Sequence, residues 1–240
     1  RLIKPLTFKW YGAFNILDGH IPDQRRILYS KEAGTQHPYR LLISNTLSQQ
    51  SGSRIYQSLS DYIYTAGGDL SYKFKWLEQN QTLKGGYMLQ VKDRLYDAKL
   101  FANYLPLDND ALRLLPADQI FLPENFGDGT ANKFAFDAIK GNTFRYLANT
   151  ILNAGFLQLD NEFTKNLRVV WGLRVENYDQ LVGSVKQSDP RHTRTQVTDF
   201  LPGMNATYKI NQNTNLRLSG SQTVIRPELR ELSFLNLYDF

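Results

Sequence analysis

Hydrophobic and polar residues alternate with a period of two along most of the chain. The clearest segment is 167–175, where Leu167, Trp171 and the other odd-numbered residues are apolar, whereas Arg168 and Arg174 lie between them. An α-helix would spread these charges around its circumference, but a β-strand separates them onto one face. The segment is therefore predicted to be a strand with one apolar and one polar face.

The same alternation recurs and predicts about seven long strands. They cover approximately 8–16, 62–74, 81–103, 144–163, 167–175, 200–210 and 216–221. Strands of soluble sheets are usually about five or six residues long. Several of the predicted strands instead reach or exceed the roughly nine to eleven residues of a strand that crosses a membrane at a tilt.

The predicted connections alternate in length. Short polar turns at 75–82, 164–166 and 211–214 alternate with longer connections at 18–61, 106–143, 183–194 and after residue 224. Outer-membrane barrels have short turns at one rim and long loops at the other. The prediction is an all-β fold: an antiparallel up-and-down meander that forms part of a large transmembrane β-barrel, with its long loops on one side.

Composition narrows the possible functions. The net charge of +5 comes from 28 basic and 23 acidic residues spread along the chain, so no nucleic-acid partner is expected. No cysteine is present, and the histidines His20, His37 and His192 lack ligand-like spacing, so no metal or other cofactor is expected. No phosphate-binding loop or nucleophile motif occurs, so the chain is not expected to be an enzyme.

Several phrases in the second half resemble a known family. They are 199–208, 213–219 and 223–232, and the last contains Arg226-Pro227-Glu228-Leu229-Arg230-Glu231-Leu232. Together with 159–161 and 170–176, they resemble the barrel of TonB-dependent outer-membrane receptors. Segments 21–26 and 92–98 are similar to the subgroup of these receptors that has an N-terminal carboxypeptidase-regulatory-like domain.

The resemblance implies a receptor in the outer membrane of a Gram-negative bacterium that takes up a scarce nutrient, such as an iron chelate, a glycan or a peptide. It further implies membrane lipid, TonB and an internal plug domain as partners. No segment resembles the plug or the final barrel strands. Residues 1–240 are therefore interpreted as a fragment of one transmembrane barrel domain.

On this interpretation the odd-numbered residues of 167–175 face lipid, and charged residues face the barrel lumen. The candidates for contact with a ligand or a plug in the lumen are Arg94, Arg168, Arg174, Glu176 and Arg217. Loops on rigid scaffolds often carry binding residues, so 18–61 and 106–143 are the expected capture loops, with Arg25 and Arg26 as candidates.

Two other classes stay open on the sequence. A soluble all-β module that binds a ligand or a carbohydrate through exposed aromatic rings would need shorter strands packed as a sandwich. A passive pore or a barrel adhesin would share the transmembrane architecture without TonB-dependent uptake.

Overall fold

The computed structural model describes residues 5–31, 33–34, 36, 38–76, 78–127, 132–141 and 144–234. Its main sheet contains the strands β1 (Leu6–Arg26), β4 (Ser53–Trp76), β5 (Gln79–Tyr104), β6 (Ala135–Ile139), β7 (Arg145–Glu162), β8 (Leu167–Gly183), β9 (Thr193–Lys209) and β10 (Asn215–Ser221). This sheet is antiparallel, with strand order β1-β4-β5-β7-β8-β9-β10, and β6 pairs with β5 beside this path. The predicted all-β meander is confirmed.

The remaining elements are small. A two-stranded sheet joins β2 (Leu28–Ser30) to β3 (Arg40–Leu42). Helix α1 (Asp110–Arg113) and a 3-10 turn (Pro123–Asn125) lie between β5 and β6. Among the described residues, no helix has the length and apolar character needed to span a membrane.

The chain divides into two compact units. Unit 1 comprises the described parts of 1–17, 61–94 and 147–233, and unit 2 comprises those of 18–60, 95–146 and 234–240. Unit 1 holds most of β7, all of β8, β9 and β10, and segments of β1, β4 and β5. Unit 2 holds β2, β3, α1, the 3-10 turn, β6 and the other segments of the long strands.

Strand pairing in unit 1 follows the predicted alternation. β7, β8 and β9 pair continuously, with Leu157 opposite Leu173 and Leu173 opposite Pro202. Residues directly opposite each other in an antiparallel pair point to the same side of the sheet. The apolar residues of neighbouring strands therefore combine into one apolar face. A slip of one residue would move them all to the other side, so the hydrophobic pattern itself fixes this register.

Two predicted loops are partly wrong. The connection predicted at 18–61 is shorter, because β1 continues to Arg26 and β4 already begins at Ser53. The connection predicted at 106–143 is interrupted by the strand β6, and it also contains α1 and the 3-10 turn. Polar and charged residues near the strand ends hid the extra length of β1 and β4 from the period-two pattern.

Candidate functional site

The sheet of unit 1 has two chemically different faces. The apolar face carries rows of opposed apolar residues, such as Leu159, Trp171 and Met204 across β7, β8 and β9. The other side, called the polar face below, carries rows such as Arg168, Thr207 and Arg217 across β8, β9 and β10. The charged side chains that could bind a ligand in unit 1 lie mainly on the polar face.

A group of charged residues on the polar face, called the Glu176 cluster, consists of Arg174, Glu176, Tyr178, Asp199 and Arg226. Glu176 is only 7% exposed and accepts a 2.7 Å hydrogen bond from Arg174 Nε. Arg226 Nη2 lies 2.7 Å from Glu176 Oε2 and 2.8 Å from Asp199 Oδ2. The Arg226 guanidinium also lies over the Tyr178 ring, 4.5 Å from its centroid.

The Glu176 cluster balances its charges internally, with two guanidinium groups against two carboxylates. A buried carboxylate is costly unless it is paired and hydrogen-bonded, and both oxygens of Glu176 have an arginine partner. Arg226 Nε and Gln180 Nε2 are buried and have no hydrogen-bond partner in the described structure.

A second buried carboxylate lies on β4. Asp61 is 2% exposed and receives two hydrogen bonds of 2.7 Å from Arg94, whose guanidinium binds it in a bidentate geometry. Lys92 adds an ion pair at 3.0 Å. Arg94, one of the predicted lumen residues, is therefore engaged in holding β4 to β5, and its planar group suits that geometry.

The other predicted lumen residues lie along β8 and β10. Arg168 forms a bidentate pair with Asp160 of β7, at 2.8 and 2.6 Å, and its side chain is 57% exposed. Arg217 lies across β9 from Arg168, with Thr207 between them in the register, and it has no partner among the described residues. The structure thus gathers Arg174 and Glu176 into one cluster and leaves Arg94, Arg168 and Arg217 outside it.

A polar anchor interrupts the apolar face near the connection between β7 and β8. The Trp171 indole N–H donates to Asn161 Oδ1 at 2.8 Å, and Asn161 Nδ2 donates to Gln81 Oε1 at 2.7 Å. Trp171 is 47% exposed. An amphipathic ring with a bonded N–H suits the boundary between lipid and water, where transmembrane barrels concentrate aromatic residues.

In unit 2, the two arginines predicted for a capture loop lie at the end of β1, which corrects their placement in a loop. Arg25 donates to Asp23 at 2.8 and 2.6 Å. Asp23 also accepts two bonds from Arg54 of β4, at 2.7 and 2.8 Å. The carbonyl of Arg26 accepts the Gly52 N–H at 2.8 Å, so its backbone joins β1 to the start of β4.

The long connections of unit 2 fold around a small apolar core of Leu41, Leu105, Ile120 and Phe134, all fully buried. The Tyr29 hydroxyl donates to the Leu115 carbonyl at 2.7 Å. Burial, with a further contribution from the Asp118 charge, raises the pKa of Tyr29 above its ordinary value. These connections therefore form an ordered cap, defined here as residues 27–52 and 105–134 where they are described.

A cavity of about 530 Å³ lies in unit 2 beside Arg54 and is lined by His20, Arg54, Tyr56, Gln57, Ser58, Asp97, Lys99, Phe101 and Phe136. A second cavity of about 500 Å³ shares Arg54 and Phe136 and is also lined by Arg25. Arg25 thus lines a cavity even though it lies in a strand.

Metal ligands are not gathered anywhere in the described part of the chain. No group of three or more histidine or acidic side chains with metal-binding geometry occurs there. His20 lines the cavity beside Arg54, and His192 Nδ1 lies 2.8 Å from the Ser184 carbonyl. His37 lies outside the described residues.

Sequence reasoning missed Arg226, Asp199 and Asp61 as members of the charged clusters. Arg226 had drawn attention only through the Arg-Pro-Glu phrase, and Asp61 was assigned to the end of a loop. In β4 the alternation does place Asp61 on the same side as Thr65 and Asp69, which bond to Gln90 and Lys84 of β5. The sequence could therefore have placed Asp61 on the polar side of β4 through its alternation with Thr65 and Asp69.

An antiparallel meander of long strands with one apolar and one polar face defines the architecture of an outer-membrane β-barrel protein. In agreement with this, the model of the outer membrane protein beta-barrel family matches residues 124–239. A comparison with curated proteins found no match. The fold is therefore that of an outer-membrane β-barrel segment, and the chain is located in the outer membrane of a Gram-negative bacterium.

Proposed function

We propose that the chain is part of a receptor for TonB-dependent active uptake of a scarce nutrient across the outer membrane. The observation that carries this proposal is the Glu176 cluster. Arg226, beyond the last strand of the sheet, is tied to two carboxylates on the polar face. The interior of a transmembrane barrel is polar, and charges fixed in this way can contact a plug or a passing ligand.

In this proposal the polar face lines the lumen. Arg94, Arg168, Arg174, Glu176 and Arg217 face the plug or the passing ligand. Arg94 and Arg168 stabilise the wall through Asp61 and Asp160, whereas Arg217 offers a guanidinium that has no partner among the described residues. Arg217 is therefore the best candidate among the five for a contact with the plug or the ligand.

The ordered cap of unit 2 supports the receptor part of the proposal. A passive pore needs no long connections with their own apolar core, whereas a receptor needs a rigid surface that can hold a ligand. The iron chelates, glycans and peptides that the resemblance implies are the candidate nutrients. Arg25 lines a cavity under this cap and keeps its proposed role in capture.

The partners follow from the two faces. The apolar face contacts the lipid of the outer membrane, and the full-length protein supplies the plug that responds to TonB. No cofactor and no catalytic step are part of the proposal, and no nucleic acid is a partner. The outer-membrane location argues against the soluble binding module that the sequence alone left open.

The test uses cells that carry the full-length gene and grow on a panel of limiting iron chelates, glycans and peptides. We expect the gene to be required for growth on at least one of these nutrients, and we expect deletion of tonB to abolish the uptake of that nutrient. Uptake that persists without TonB would show a passive pore. A gene that affects surface attachment but no uptake would show an adhesin, and either result would overturn the proposal.

A further inference from the structure

We propose that the cavity beside Arg54 in unit 2 binds a ligand that combines an acidic group with a ring able to stack on an aromatic side chain. Two ligand classes share this chemistry: acidic sugars and aromatic carboxylic acids. The inference specifies the class of ligand that the receptor binds. Only the transport of that ligand rests on the proposed function. Binding itself does not depend on TonB.

The cavity has an aromatic wall. The rings of Phe101 and Phe136 are stacked, with centroids 5.5 Å apart and planes 12° apart. Tyr56 meets Phe101 edge to face at 5.8 Å. Phe136 is 45% exposed, although it is a large apolar residue in a strand. Exposed aromatic faces of this kind are suitable surfaces for stacking with a ligand ring.

The Arg54 guanidinium is fixed in place beside this wall. Asp23 binds Nε and Nη2 in a bidentate arrangement, and Nη2 also donates to the Tyr56 hydroxyl at 2.9 Å. The guanidinium carbon lies 5.9 Å from the ring centroids of both Tyr56 and Phe136. A group held in this way loses little conformational freedom on binding, so less of the binding energy is spent on ordering it.

The charge of the cavity favours an acidic ligand. Lys99 lines the cavity, is exposed and has no ion-pair partner among the described residues. The only lining carboxylate, Asp97, lies 3.4 Å from Arg145, and Asp23 is shared between Arg54 and Arg25. Positive charge is therefore in excess next to the aromatic wall, and a carboxylate would complement the Lys99 ammonium.

The size of the cavity agrees with a small ligand. Its volume of about 530 Å³ lies in the range of roughly 300–1,000 Å³ typical of small-molecule sites. Gln57 and Ser58 add polar groups at its edge. Ring stacking against Phe136, a carboxylate at Lys99 and hydroxyl contacts at this edge together define the binding mode.

The experiment measures binding of three probes to the full-length protein in detergent by calorimetry: digalacturonate, its neutral counterpart digalactose, and salicylate. At least one acidic probe should bind. If digalacturonate binds, it should bind at least about tenfold more tightly than digalactose, a difference of about 1.4 kcal/mol. Binding of digalacturonate alone identifies an acidic sugar, and binding of salicylate alone identifies an aromatic acid. Absence of binding by both acidic probes at millimolar concentration would overturn the inference.

Variants test the aromatic wall and the Lys99 charge separately. Phe136→Leu keeps an apolar residue in β6 but removes the ring, and Lys99→Gln removes the charge; each should weaken the acidic probe by about tenfold or more. Tyr39→Ala and Lys140→Gln, which change exposed residues outside the cavity, are the matched controls and should bind as the unmodified protein does. Unchanged affinity in both Phe136→Leu and Lys99→Gln would refute the site. TonB-independent uptake would refute the proposed function but leave these binding results intact.

Discussion

Arg226 Nη2 lies 2.7 Å from Glu176 Oε2, so a residue beyond the last strand of the sheet is fixed onto the middle of β8. The same nitrogen contacts Asp199 of β9, and the guanidinium covers the Tyr178 ring. One side chain therefore ties the segment after β10 to two neighbouring strands. The contact explains why an arginine, with its planar fork of donors, is used at this position.

The first prediction concerns this tie. Arg226→Gln should lower the free energy of unfolding of the full-length protein by about 1–3 kcal/mol, because Glu176 keeps Arg174 but loses one of its two charged partners. Limited proteolysis should cut between residues 226 and 234 faster. Lys165→Gln, which removes a charge in the exposed turn between β7 and β8, is the control and should change neither measurement. Equal effects of the two substitutions would contradict the role of Arg226.

The second prediction concerns the apolar face. Leu173 is 42% exposed and lies between Leu157 and Pro202 in the register. Leu173→Arg should destabilise the folded protein in lipid by about 2–4 kcal/mol if the residue lies near the bilayer midplane, because a charge there must leave water. Denaturant titration in lipid vesicles measures this change.

Ser219→Arg provides the comparison for Leu173→Arg. Ser219 lies opposite Asn205 on the polar face, so the same charge placed there should cost little. If both arginines were tolerated equally well, lipid contact on the Leu173 side would be refuted.

The third prediction concerns Gly67, where neighbouring atoms leave no room for a side chain. A Cβ at this position would lie 2.7 Å from the Tyr11 ring and 2.9 Å from the Tyr87 carbonyl oxygen. The carbonyl belongs to the neighbouring strand and cannot move without breaking the ladder. Gly67→Ala should therefore destabilise the protein by about 1–3 kcal/mol through overpacking.

Gly220 is the matched position for this test, because a Cβ there would meet nothing within 4 Å. Gly220→Ala should therefore be neutral or slightly stabilising in the same denaturant titration. A neutral Gly67→Ala would show that Tyr11 and the ladder relax at no cost.

The fourth prediction concerns the cap and pH. Burial raises the pKa of Tyr29 above the ordinary value of 10.0, so the folded cap favours the neutral phenol. The resulting stabilisation is fully present below pH 10.0 and is lost as the pH rises through the higher pKa of the folded state. We expect the cap to become sensitive to proteolysis in that alkaline range.

Tyr29→Phe isolates this effect. The variant loses the hydrogen bond to Leu115 and should be less stable at neutral pH, but its cap should show less additional loss at alkaline pH. The ultraviolet difference spectrum between the two proteins follows the titration of Tyr29 directly. A titration at or below pH 10.0 would contradict the effect of burial.

Much of the architecture was predictable because apolar and polar residues alternate along a strand and this alternation is visible in the sequence. The alternation at 167–175 predicted the side of Trp171 and Leu173, and pairing with β7 and β9 confirms it. The short connections were also predictable, since the chain between β7 and β8 has, apart from Phe163, only polar residues suited to a turn. Strand ends were predicted less well, because the ends of β1 and β4 carry charged residues such as Arg25 and Arg54 on a chain that is still extended.

The charged clusters could be predicted only in part. Arg174 and Glu176 lie two residues apart on one face, so a strand alone brings them together. Asp61 and Arg94 meet because β4 and β5 pair in a particular register, and Arg226 reaches Glu176 only because the chain turns back after β10. The sequence supplies the charges, but it does not state which will become partners.

The sequence by itself determined the approximate positions of the seven long strands, the two faces of the sheet and the alternation of short and long connections, because each depends on residues close together in the chain. The tertiary structure alone decided the partners of Arg94 and Arg226, the folded core of the cap and the aromatic cavity beside Arg54. These features join residues far apart in sequence, and pairing register and chain reversal, rather than local periodicity, bring them into contact.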